Sequence, residues 1–144
     1  MVAEFLSVIG EVELDLRVRV VVVTNEGTKF CAGVDLAEDS HDARGASTRR
    51  TTDLAELLNQ IMSSPKPFVG RLNGHCVAGG LSLAAAMDIS IAVSHEMFGF
   101  TEVRIGVAPA IISVVCLVKI RRVDAKLLSC GGIDLSPRRR RDSA

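Results

Sequence analysis

The sequence predicts an α/β fold, and three observations predict it. Helix-like and strand-like patterns alternate along the first 120 residues. A β-branched run at 18–24, with Val20, Val21, Val22 and Val23 at its centre, reads as a strand buried on both faces. Two glycine-containing loops each follow a strand, and the second opens a helix.

Taken in order, residues 2–16 read as an amphipathic helix. Val2, Phe5, Leu6, Ile9, Val12 and Leu16 keep helical spacing, with the acids mostly between them. The strand at 18–24 ends in the turn Asn25-Glu26-Gly27. Residues 30–36 form a loop of mostly small residues, and 37–50 are polar and irregular. A helix is expected over 51–63, where Leu54, Leu57, Leu58, Ile61 and Met62 make one stripe and Pro65 and Pro67 follow the end. Residues 68–73 read as a strand, 79–87 as a helix and 89–93 as a strand. Residues 97–100 are a short extended piece, 111–120 are apolar and helical, and beyond Arg121 the pattern breaks down.

Composition narrows the function classes. Apolar residues make up 48% of the 144, so the chain can bury a core. With 3% aromatics and no Trp or Tyr, that core is built from Val, Leu, Ile and Ala, and stacking on nucleic acid bases is thinly supplied. Net charge is zero but uneven. Residues 119–144 hold eight basic and three acidic residues, which sets a basic tail apart from a core at 2–118 and predicts poor order in the tail. Four arginines at 138–141 without a recognition element do not make a nucleic-acid site.

Cys31, Cys76, Cys116 and Cys130 form no Cys-x-x-Cys pair, and no histidine cluster supplies a metal site, so reduced, scattered thiols are expected. Glu4, Glu11 and Glu13 stand where a secretory signal would be basic and then apolar. The longest apolar run, 106–118, is too short for a bilayer and contains Pro109. A cytoplasmic protein with no membrane partner is the expectation.

The glycine loops carry the first candidate chemistry. Backbone N–H groups at a strand end, joined by the positive end of a helix dipole, can converge on a developing oxyanion. On spacing alone they read equally as tight strand-to-helix turns. Ala78-Gly79-Gly80 matches neither the dinucleotide pattern nor the P-loop. Glu102 follows a short apolar strand and precedes Gly106 and Pro109. A half-desolvated carboxylate on such a turn has its pKa raised and exchanges protons near neutrality, whereas an ordinary surface acid would not. His75 and Cys76 are adjacent, but neighbours on a strand point to opposite sides and cannot easily share a proton.

Several linked segments carry a resemblance. Residues 30–36 (Phe-Cys-Ala-Gly-Val-Asp-Leu) and 72–83 (Leu-Asn-Gly-His-Cys-Val-Ala-Gly-Gly-Leu-Ser-Leu), with the spacing onward to Asp88 and to Phe98 through Pro109, resemble the signatures of the enoyl-CoA hydratase/isomerase, or crotonase, family. The resemblance covers residues 2–118. It implies a partial crotonase-like core of parallel strands and helices that acts on acyl-CoA thioesters in fatty-acid metabolism. It implies an oxyanion hole from the backbone N–H groups of Val34 and Gly79, with Glu102 at the position of the family's second catalytic carboxylate. It implies a coenzyme A site along Cys31, Ala32, Val34, Asp35 and Leu36. No metal or redox cofactor is implied, since coenzyme A belongs to the substrate.

Two departures stand out. Ser82 occupies the position of the family's first catalytic glutamate, so two-carboxylate hydration is not supported, while proton shuttling by Glu102 remains and Ser82 is left to position water. Met87 stands where a small residue is usual, which predicts a packing adjustment. Against the family, the chain opens inside the first helix and lacks the C-terminal helices that cap the site and build a trimer. A truncated or frame-shifted product is therefore expected, either a homo-oligomer once completed or an inactive remnant or interaction subunit.

Overall fold

In a computed structural model, residues 1–33 and 45–131 are described, with the side chains at 45–51, 127 and 131 excepted. Helix α1 (Val2–Leu14) leads to strands β1 (Val21–Thr24) and β2 (Lys29–Cys31). Helix α2 (Gly45–Ser63) is followed by β3 (Phe68–Leu72) and β4 (His75–Val77). Helix α3 (Gly79–Ala86) is followed by β5 (Ile89–Ala92) and β6 (Phe98–Gly99). A 3-10 turn (Glu102–Ile105), α4 (Ala110–Cys116) and α5 (Arg122–Gly131) complete the described chain.

The topology is repetitive in space though not in sequence. Each pass lays one strand in a sheet of order β1-β3-β5 and the next in a second sheet of order β2-β4-β6. All four strand pairs are parallel, and each return is made by a helix or a loop crossover. The α/β class expected from the alternation is what the chain adopts. The alternation did not reveal two sheets, because β2 and β4 are three residues each and lay inside segments read as loop and turn.

The main core lies on one face of the first sheet. Ile9 of α1, Leu57, Leu58 and Ile61 of α2, Leu83 and Ala86 of α3, Met87 and Val115 of α4 pack around Phe68, which is fully buried. The stripes expected at 2–16 and 51–63 meet here through Phe5, Leu6, Ile9, Leu57, Leu58 and Ile61, whereas α1 ends at Leu14 and Leu16 and Met62 are exposed. Burying each such side chain stabilises by roughly 1.5–3 kcal/mol. Met87 fits because its neighbour is Gly70, where a Cβ would stand 2.7 Å from the Met87 sulfur. Lys66 ties the end of α1 to the sheet by donating to the carbonyls of Val12 and Asp15.

Two expectations are corrected. The valine run is not buried on both faces, since Val22 is 58% exposed and Val20 is also exposed. Helices cover only one side of the sheet, and among the described residues nothing lies over the other. The pattern does not stop at Arg121 either. Residues Arg122–Gly131 are helical, with Leu128 buried against Phe100, Ile112 and Cys116. Asp124, which accepts from Arg121 at 2.8 Å, lies within the first turn and suits the helix dipole. The arginines at 138–141 lie outside the described residues.

Candidate active site

The site is built where parallel strands end. β2 and β4 are neighbours in the second sheet, and each runs into a glycine turn at its carboxyl end, where α/β sheets place ligands. After β2 the chain reaches Gly33 with φ +91°, and after β4 it passes Ala78 with φ 52° into α3. Both are left-handed conformations that glycine adopts freely and alanine rarely, so the Ala78 turn is held by its surroundings. The Ala78 N–H donates to the Gly99 carbonyl at 3.1 Å, and the Ala78 carbonyl accepts from Leu81 N–H at 2.9 Å.

The two turns touch. A Cβ on Gly33 would lie 2.8 Å from the Ala78 Cβ and 3.4 Å from the Gly79 nitrogen. Gly80 packs equally tightly on the first turn, where a Cβ would come within 2.4 Å of the Cys31 carbonyl oxygen. The Gly79 N–H is the first of α3, and the leading amides of a helix have no partner within it. It is therefore a donor at the positive end of a dipole, beside the loop that continues to Val34.

Of the residues named from sequence, Gly79, Ser82 and Glu102 are placed in this region. Cys31 is half-buried and Ala32 exposed at the turn's edge. Val34, Asp35 and Leu36 lie outside the described residues. Ser82 is fully buried, and its hydroxyl donates to the Gly79 carbonyl at 2.7 Å. It braces the first turn of α3 and faces no open space, which does not suit it to positioning water. His75 is exposed and Cys76 buried, so they do point opposite ways. The His75 imidazole instead meets Glu96, at 2.8 Å from Nδ1.

Glu102 opens the 3-10 turn three residues past Gly99, the acceptor of the Ala78 N–H. Three residues reach about 11 Å at most, so the Glu102 Cα lies within that distance of the Gly99 Cα. Its Oε2 is buried without a hydrogen-bond partner. Loss of solvent around it raises its pKa above the ordinary carboxylate range. Its charge is felt at Cys116 of α4, whose thiol is pushed up to about 12, chiefly by burial. Cys116 and Leu128 join Leu81 and Ala85 of α3 in lining a cavity of about 50 Å³, with Lys119 and Ile120 completing it. Taken singly, a leading helix amide can donate to a developing oxyanion and a half-desolvated carboxylate can move a proton near neutrality.

Comparison with known proteins is decisive on the family. The pattern described as enoyl-CoA hydratase/isomerase matches residues 1–126. The chain belongs to the enoyl-CoA hydratase/isomerase family. That match runs past the boundary drawn at residue 118, into α5. A Thermus thermophilus protein described as a candidate enoyl-CoA hydratase is 36% identical over 135 residues, covering 92% of this chain and 53% of that protein. An enoyl-CoA hydratase structure from Mycobacterium avium is 35% identical with a TM-score of 0.82, covering 98% of this chain and 54% of that one. A Polaromonas enoyl-CoA hydratase structure reaches a TM-score of 0.89 at 27% identity, covering 99% and 57%. The chain spans about half the length of these relatives.

No helix among the described residues is long and apolar enough to cross a membrane. Among the same residues, no group of three His, Cys, Asp or Glu side chains is placed to hold a metal ion.

Proposed function

We propose that the chain binds acyl-CoA thioesters and shifts the double bond of an enoyl-CoA. The Gly79 and Val34 amides receive the enolate oxygen, and Glu102 carries the proton. The observation that carries this reading is the half-buried carboxylate of Glu102, whose Oε2 is buried without a hydrogen-bond partner, with Ser82 where a second carboxylate would stand. One carboxylate can take a proton from the carbon next to the thioester carbonyl and return it two carbons along, which is isomerisation. Addition of water is better served by two carboxylates. Proton transfer of this kind requires neither a metal nor a redox cofactor, and coenzyme A enters as part of the substrate along residues 31–36. The setting is fatty-acid metabolism in the cytoplasm, and the working form is a trimer-based homo-oligomer.

A second reading, a non-catalytic subunit that associates with other chains, is favoured by the bare apolar sheet face of Val22, Ile89 and Ile91.

Purified chain incubated with 3-enoyl-CoA and with crotonyl-CoA separates the two. The first reading expects the double bond to move into conjugation, followed by absorbance, and Glu102→Gln to lower the rate by about 10²–10⁴-fold. The base is the ionised carboxylate, whose pKa is raised. Activity therefore climbs with pH through that raised value, above the range of an ordinary glutamate, and the residual rate of the glutamine variant does not. Turnover that ignores Glu102→Gln overturns the assignment, and retention on a CoA column without turnover supports the second reading.

A further inference from the structure

The mechanism uses no thiol, yet two cysteines stand side by side beneath the paired turns. Cys31 ends β2 and Cys76 sits at the centre of β4, and the two are register partners. They are partners because of an irregularity. Lys29 pairs with His75 and Cys31 with Cys76, so β2 carries one extra residue, Phe30, between two consecutive partners. Such bulges re-aim side chains, and without this one Cys31 would face Val77.

Both side chains point to the same side. The Cys31 Cβ lies against Gly80, at 2.7 Å from where a Cβ on that glycine would stand. Cys76 packs with Ala84 and Leu81. Gly80, Leu81 and Ala84 all belong to α3, so both thiols lie on the sheet face that α3 covers. Adjacent strands run about 4.8 Å apart. Disulfide-bonded cysteines have Cα atoms about 4.4–6.8 Å apart. The pair thus meets the separation without moving either strand.

We propose that Cys31 and Cys76 are a disulfide-forming pair that a low-molecular-weight disulfide of the glutathione class oxidises. Cys31 is half-buried and at a turn, so it is engaged first; Cys76 is fully buried. The Cys31 thiolate attacks one sulfur of the small disulfide and displaces a thiolate, leaving a mixed disulfide. The Cys76 thiolate then attacks the Cys31 sulfur, forming the Sγ–Sγ bond and releasing the second small thiolate. The chain loses two thiol protons to solvent, and the small disulfide is reduced to two thiols. Burial pushes the Cys76 thiol up to about 12. Ring closure therefore quickens about tenfold per pH unit, because only the thiolate attacks. The bond would lock together the ends of the two strands that lead into Gly33 and Gly79. The pairing itself does not depend on the acyl-CoA reading.

The test is oxidised glutathione on the folded full chain, then trypsin without reduction and mass spectrometry. Lys and Arg positions place the four cysteines in four separate peptides, so every pairing is distinguishable. The expected product joins the Cys31 and Cys76 peptides, with the loss of two hydrogens. It persists in Cys116→Ala, disappears in Cys76→Ala, and loses its preference when the oxidation is run in denaturant. A dominant bond from Cys76 to Cys116 or to Cys130, or a Cys31 glutathione adduct that never closes, overturns the proposal.

Discussion

The second sheet and the outer face of the first sheet both belong to three-stranded parallel sheets, yet they are packed to different tolerances. Around β2 and β4 the backbone approaches so closely that Gly74 and Gly80 have no room for a Cβ. One on Gly74 would stand 2.5 Å from the Thr28 carbonyl. On the outer face of the first sheet, Val22 is 58%, Ile89 57% and Ile91 64% exposed. Val22, Val69 and Ile89 are register partners across that face, with the half-buried Val69 between two exposed side chains. Chain geometry is tight where the two turns must meet and undemanding where side chains meet nothing.

The comparison sharpens first at Phe68, whose side chain is on the covered face of the first sheet. Phe68→Ala removes the most buried ring of the main core and is expected to cost about 3–5 kcal/mol, read from urea unfolding. The next largest effect is at the second sheet. Gly80→Ala sets a methyl against the Cys31 carbonyl, which is backbone and cannot swing away. Overpacking of that kind costs about 1–3 kcal/mol. Because the displaced atoms belong to the turn carrying Gly33, CoA thioester binding should weaken beyond what the stability loss explains. A Gly80→Ala chain as stable as the parent would show that the close contact is not a constraint.

Much of this was legible in the sequence, for identifiable reasons. Helices α1 and α2 follow apolar stripes that the core uses directly, as Ile9 and Leu57 show. The proximity of the two glycine turns was implied by the family resemblance, and the contact of Gly33 with Ala78 and Gly79 agrees with it. Other features left no readable signal. A three-residue strand such as β2 has too few positions to display alternation, and its bulge at Phe30 would have scrambled it. Valine runs do not say which faces will be covered, and Val22 does not occupy the interior that its run predicts. The backbone strain at Ala78 is invisible because alanine gives no warning of a positive φ. From sequence, Ser82 reads only as a replacement at a catalytic position. Its bond to the Gly79 carbonyl depends on the helix turning there, and sequence spacing cannot distinguish that from a bond to water. Around α5 the charge of the segment masked Leu128, which a single buried side chain is too few to reveal as a pattern.

The smallest expected effect is the one that tests the other half of the comparison. Ile89→Lys changes a residue that is 57% exposed on the bare face. Exposed substitutions of this kind move stability by no more than about 0.5 kcal/mol. Unfolding of the monomer should therefore be unchanged within that margin, in contrast to Phe68→Ala on the opposite face of the neighbouring strand. A charge in the middle of a contiguous apolar surface does act on association, because burying it against another chain leaves it unpaired. Light scattering against concentration should show the lysine variant staying monomeric to higher concentration than the parent. If Ile89→Lys instead destabilises the monomer as strongly as a core change, the face is covered in solution and the contrast between the two regions fails.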